Sequence, residues 1–169
     1  MIKYTLYISF LIIILSMLWS CEKDDICIEE TTPYLIIRFY DNSEPEEFKK
    51  VAALKVQIEG ITGDYYNETI TLLTDSIAIP IKVNDDITKF KLILNGSDND
   101  LDNDNEDVFD LNYTREDVFV SRSCGYKSIF HDVITTLIND NENWIQSIQT
   151  VEDPQSIINQ KSAHVKIFH

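Results

Sequence analysis

Three groups of side chains in this sequence have the types and spacing for chemistry: a cysteine closing an apolar run, a dense run of aspartates, and scattered histidines and serines. The cysteine is the sharpest. Leu18-Trp19-Ser20-Cys21 ends an apolar N-terminus and opens onto Glu22-Lys23-Asp24-Asp25. Lys3 supplies the single early positive charge and residues 6–18 are almost wholly apolar, the n-region and h-region pattern of a secretory signal. The apolar run is short for a spanning helix, which takes about 20 residues. A small residue and then cysteine where that run stops reads as a lipoprotein signal, with cleavage before Cys21 and a lipid on Cys21. Trp19 departs from the pattern, since that position usually holds a smaller residue. An uncleaved N-terminal anchor is the alternative.

With Cys21 assigned to the lipid, Cys27 and Cys124 remain. Outside the cytoplasm two such thiols are usually joined, here around a loop of nearly a hundred residues. The alternative is two buried, unpaired thiols in a reduced protein. Neither CxxC nor a close Cys/His pair is present, so the cysteines do not suggest a metal site.

The run Asp98-Asn99-Asp100-Leu101-Asp102-Asn103-Asp104-Asn105-Glu106-Asp107 is the best candidate for binding. Calcium takes six to eight oxygens, and alternating carboxylates such as Asp98, Asp100, Asp102 and Asp104 on a tight loop can supply them. The first three carry EF-hand spacing. However, Asn103 stands where that motif needs glycine, Phe109 where it needs the bidentate glutamate, and Asp110 comes one place late. The full motif fails. The competing reading is a solvated hairpin loop of repelling charges. No other cofactor is indicated.

His131, His164 and His169 show no spacing that would converge them with carboxylates, and a strand histidine such as His164 reads as half-buried structure. Ser121, Ser123 and Ser128 near His131 lack a nucleophile-elbow motif. Arg38, Arg115 and Arg122 with Glu116 and Asp117 form either an exposed recognition patch or internal ion pairs between strands. The second is favoured. Tyr65-Tyr66 and Trp144 could form a sugar-stacking platform on loops, against the commoner role of packing at a rim or core.

These side chains must be positioned by one small domain. Cleavage before Cys21 leaves 169 − 20 = 149 residues, enough for a real core. The net charge of −15 becomes −16 on losing Lys3. That balance argues against nucleic acid, which demands clustered cations, and against polybasic attachment to anionic lipid. A hydrophobic content of 44% keeps the chain among globular proteins.

Residues 34–40 are rich in β-branched and aromatic side chains, with a turn at 41–45 and a brief helical turn or loop over 46–51. Residues 54–59 alternate strictly, placing Leu54, Val56 and Ile58 on one face. Further strands are expected at 68–74, 76–83, 90–94, 108–113, 117–121, 126–138, 144–151 and 164–168. Pro80 removes a ladder donor and marks 76–83 as an edge strand. Short strands broken by turns, with no sustained helical period, predict an all-β fold: an antiparallel β-sandwich, immunoglobulin-like in a loose sense, after an N-terminal signal peptide. The expected division is 1–20 signal peptide, 21–32 lipidated acidic tether, and 33–169 a single sandwich domain.

Several segments together resemble an uncharacterised family of Bacteroidota envelope lipoproteins. They are the start Cys21-Glu22-Lys23-Asp24-Asp25-Ile26-Cys27, the strand over 35–41, the stretch 74–80, Asn112-Tyr113-Thr114-Arg115-Glu116, and Val120-Ser121-Arg122-Ser123-Cys124-Gly125-Tyr126-Lys127. Asn143-Trp144-Ile145 and the end over 164–168 complete the match. The resemblance implies a β-rich envelope lipoprotein with the lipid on Cys21 and a Cys27–Cys124 pair, and it supplies no catalytic residue. Lys23-Asp24-Asp25 also looks like signals that send some lipoproteins of that phylum to the cell surface.

The sequence therefore predicts a non-enzymatic outer-membrane lipoprotein, anchored through Cys21 on the periplasmic face or at the cell surface. It would act as a binding or assembly module whose partner is another envelope protein. The alternative is a calcium-dependent glycan-binding or adhesion module built on residues 98–107.

Overall fold

The computed structural model describes Lys3 and residues 26–60, 73–97, 101–151 and 155–169. Cys21, Tyr65-Tyr66, most of the expected strand at 68–74, and Asp98 and Asp100 lie outside these residues.

Among the described residues eight strands form: β1 (Leu35–Tyr40), β2 (Lys55–Ile58), β3 (Ser76–Ile79), β4 (Ile87–Leu94), β5 (Asn105–Ser121), β6 (Gly125–Ile138), β7 (Ser147–Thr150) and β8 (Val165–Phe168). They make two four-stranded sheets, ordered β3-β1-β8-β7 and β2-β4-β5-β6. Both sheets alternate as period-2 patterning requires. Leu35, Ile37, Phe39, Val165 and Ile167 of the first sheet share one buried cluster with Val56, Ile58, Phe90, Leu92, Phe109, Leu111 and Phe130 of the second. Phe90 stacks on Phe109 with ring centroids 5.1 Å apart, and Tyr113 meets Phe130 edge-on at 5.0 Å. The fold is the expected all-β sandwich.

Its pairing is antiparallel except for β1 and β8, which run parallel with Ile37 opposite Val165 and Tyr40 opposite Phe168. Nearly the whole domain separates these strands in sequence, so no tight turn forces them antiparallel. Alternating burial is satisfied in either direction.

β3 lies at a sheet edge, as Pro80 suggested, but the strand stops at Ile79. The buried alternation continues through Ile81 after the ladder has ended. Of the two readings for residues 46–51 the loop is the one that forms, with bridges from Phe48 to Tyr40 and from Val51 to Thr74. The strand expected over 144–151 is shorter, because Trp144 and Ile145 are buried in the loop that precedes β7.

The largest departure is β5, where two expected strands are one of 17 residues. It pairs with β4 from Asn105 to Asn112 and with β6 from Val108 to its last residue, Ser121. The ladder to β6 slips between Asn112 and Thr114, where Asp132 adopts a φ of +52°. This is a bulge with an aspartate in the left-handed region that Asp tolerates better than most residues. Past Tyr113, whose N–H donates to the Asp86 carbonyl at 3.1 Å, the ladder to β4 is finished. The distal β5–β6 hairpin continues as an arm with residues 114–117 exposed.

Candidate functional site

The arm ends in a tight turn over residues 122–124, with Gly125 at a φ of +72° that glycine adopts without strain. Ser121 Oγ accepts the Cys124 N–H at 3.1 Å and closes the turn. Cys124 is bonded to Cys27, with Cα atoms 4.9 Å apart across a sequence separation of 97. The predicted disulfide is present. Ser128 N–H also donates to Thr32 Oγ1 at 3.0 Å, so the segment entering β1 lies along the arm and is joined to it at two points. On the arm, Phe119 and Tyr126 face each other as a cross-strand pair with ring centroids 5.4 Å apart.

The arm also consumes most of the candidate catalytic groups in structural bonds. Ser128 Oγ donates to Asp117 Oδ1 at 2.7 Å, and Asp117 pairs with Arg115 at 3.4 Å. His131 Nε2 lies 3.0 Å from Glu116. Ser121 and Ser123 hydroxyls meet each other at 3.2 Å. No serine among the described hydrogen bonds is joined to a histidine. The arginines do not form one patch either: Arg38 lies over the Phe48 ring at 4.6 Å, and Arg122 is exposed at the tip. Arg115 pairs with Asp117 on its own strand and at the surface, so it does not tie two strands together as the ion-pair reading expected.

His164, half-buried just ahead of β8, is a structural clamp. Its Nδ1 accepts the Ile36 N–H at 2.9 Å, and its own N–H donates to the Ile36 carbonyl at 2.8 Å. Nε2 faces the Asn159 carbonyl at 2.8 Å, so Nε2 carries the proton and the ring is neutral. Burial, partly opposed by the Asn159 bond, holds its pKa below the usual histidine value. The clamp carries the parallel β1–β8 pairing one residue beyond its ladder. His169 packs edge-on against Phe39 and Trp144, and burial lowers its pKa too.

Trp144 is not a sugar platform. It is buried, with Nε1–H donating to the Leu92 carbonyl at 3.3 Å, because the 139–143 turn folds it back over the core. Of the calcium candidates, Asp98 and Asp100 lie outside the described residues. Asp102 sits in a single 3-10 turn (Leu101–Asn103), and Asp104 is exposed just before β5. Among the described residues, no three His, Cys, Asp or Glu side chains are grouped to hold a metal ion.

The acidic run is also not one loop. Its last three residues belong to β5, and Asp107 is completely buried. Asp107 Oδ2 accepts the Ile145 N–H at 2.6 Å, while Oδ1 completes no hydrogen bond. Burial raises its pKa, opposed by Ile145, Asn143 and Trp144. The carboxylate thus pins the 140–145 loop to β5. A signal for it existed: stepping back by two from Tyr113, Leu111 and Phe109, all buried, lands on Asp107.

A second buried polar node was not visible in the sequence. Tyr113 Oη donates to the Lys82 carbonyl at 2.6 Å and meets Thr88 Oγ1 at 2.8 Å, and Thr88 accepts the Lys82 N–H at 3.0 Å. It ties the turn between β3 and β4 to β5.

Fold and staple together define a class: a disulfide-bonded, two-sheet β-sandwich with a long hairpin arm. Residues 55–169, well over half of the chain, match the model of a family of unknown function (DUF6452). The chain belongs to that family. No curated protein and no solved structure matches it. The family match begins at β2, yet β1 lies inside the first sheet between β3 and β8.

Proposed function

We propose that this chain is a non-enzymatic lipoprotein of the outer membrane, anchored through Cys21 and working as a binding or assembly module of the cell envelope. The observation that carries the reading is Leu18-Trp19-Ser20-Cys21 at the end of the apolar run. The Cys27–Cys124 bond supports it independently, since such bonds persist mainly outside the reducing cytoplasm. The engagement of Ser128, His131 and His164 in structural bonds favours binding over catalysis. The anchor raises local concentration at the membrane, so even a weak contact with another envelope protein becomes effective. The resemblance to Bacteroidota lipoproteins supports a location on the periplasmic face or at the cell surface.

The test is metabolic labelling of the full chain with an alkyne fatty acid in a bacterial host. Wild type should take the label and fractionate with outer membrane, and Cys21→Ser should do neither. Unlabelled wild-type protein would overturn the reading. Protease treatment of intact cells then assigns the leaflet, and crosslinking in the native envelope identifies the partner.

A further inference from the structure

Of the eleven exposed large apolar side chains among the described residues, four lie around the disulfide, and they include the three most exposed. Ile26 and Ile28, which flank Cys27, are 79% and 88% exposed, and Phe119 and Tyr126 beside Cys124 are 56% and 71% exposed. Four such residues around one covalent bond are not the scattered apolar exposure that ordinary surfaces show. The tip's charge also differs from the rest of the protein. Residues 118–127 hold Arg122 and Lys127 and no acid, in a chain of net charge −15. Glu29 and Glu30 on the stapled segment are the nearest acids in sequence to Cys27 on its C-terminal side, and they are exposed.

The position of this cluster relative to the anchor is limited by covalent geometry. Six residue steps separate Cys21 from Cys27, so the disulfide can be no farther than about 22 Å from the lipidated residue even with the chain fully extended. The disulfide transfers the same limit to the hairpin tip, far away in sequence. Without the staple, the tip could sit at any distance that the domain's orientation allowed. With it, the aromatic pair stays within reach of the bilayer on every chain that carries the lipid.

From this placement we infer that the hairpin tip is a second membrane contact. Phe119, Tyr126, Ile26 and Ile28 enter the headgroup region beside the Cys21 lipid and fix the orientation of the sandwich. This rests on the lipoprotein reading above. Aromatic rings with one polar end favour the headgroup level, and Arg122 and Lys127 are placed to meet lipid phosphates. The arm would then act as a strut. β6 is 14 residues long, so the far end of the sandwich stands about 45 Å from the tip, presented away from the bilayer.

The test uses the full-length protein, processed and lipidated, in vesicles of phosphatidylethanolamine and phosphatidylglycerol containing brominated phosphatidylcholine. After signal removal Trp144 is the sole tryptophan, and it lies beyond the far end of β6, so its emission is an internal reference. Tyr126→Trp should lose emission from the new residue while Trp144 emission remains, and Phe119→Trp should behave alike. The second variant keeps the test decisive if the first fails to fold, and the Trp144 emission wavelength reports folding in both. Protein that carries the label on Cys21 but shows no quenching at either tip position overturns the membrane contact and leaves the anchor intact. Protein without the label overturns the anchor itself.

Discussion

Removing the disulfide is the perturbation with the clearest magnitude. Cys27→Ser with Cys124→Ser leaves no orphan thiol and opens a loop whose ends are separated by 97 residues. On the chain-entropy relation, a loop of that length stabilises the fold by about 4.7 kcal/mol through restriction of the unfolded chain. For a domain of this size each kcal/mol moves the melting temperature by about 3 °C, so the pair should lower Tm by about 14 °C. Both cysteines lie outside the buried cluster, so packing adds little, and a Cys→Ala pair should lose the same amount. Thermal unfolding followed by circular dichroism on the processed protein gives the shift, with hydrogen exchange recording where protection is lost. A fall of less than about 3 °C, with lost protection confined to residues 26–33, would refute the reasoning. It would mean that this segment opens before the domain unfolds, so the staple constrains the segment and not the unfolded chain.

Other outcomes follow from the buried polar groups. The folded pKa of His164 is lowered, chiefly by burial, so its contribution to stability is fully present above the unfolded value of about 6.5 and is lost as pH falls from there through the lower folded value. Stability in denaturant titrations should drop between neutral pH and mildly acidic pH; His164→Gln should lower it at neutral pH and flatten part of that slope. The remainder belongs to His169, whose shift has the same sign. Asp107 behaves oppositely: its raised pKa means that protonation favours the folded state on acidification. Asp107→Asn keeps an acceptor for the Ile145 N–H and should cost less than Asp107→Ala, which should lose about 1–3 kcal/mol in equilibrium unfolding by stranding that donor. Millimolar calcium should leave Tm unchanged. A rise that Asp102→Asn with Asp104→Asn abolishes would restore the calcium-adhesion alternative for residues 98–107.

Much of the fold was legible because strand patterning is local. Leu54, Val56 and Ile58 alternate in sequence and are buried together, since a strand's side-chain period is a property of its own backbone. Pro80 signalled an edge for the same kind of reason, the missing donor. Length was less legible. β5 appeared as two strands because its distal half lacks apolar alternation, and only its antiparallel partner β6 keeps it extended. Asp107 sits at the end of an acidic run and one place before the expected strand at 108–113, so only the alternation of Tyr113, Leu111 and Phe109 carried one step further back marks it as a core position.

By itself the sequence determined the all-β class, the acidic composition, the apolar run that stops at Cys21, and Cys27 with Cys124 as the cysteines beyond it. Each depends on residue type or short-range order. Tertiary structure alone decided that β1 and β8 run parallel, that His164 clamps them, and that Trp144 turns inward. It also decided that the staple gathers Ile26, Ile28, Phe119 and Tyr126 at one end of the arm. Those features join residues roughly a hundred positions apart, and local propensity carries no information about which distant surfaces the packed core will bring together.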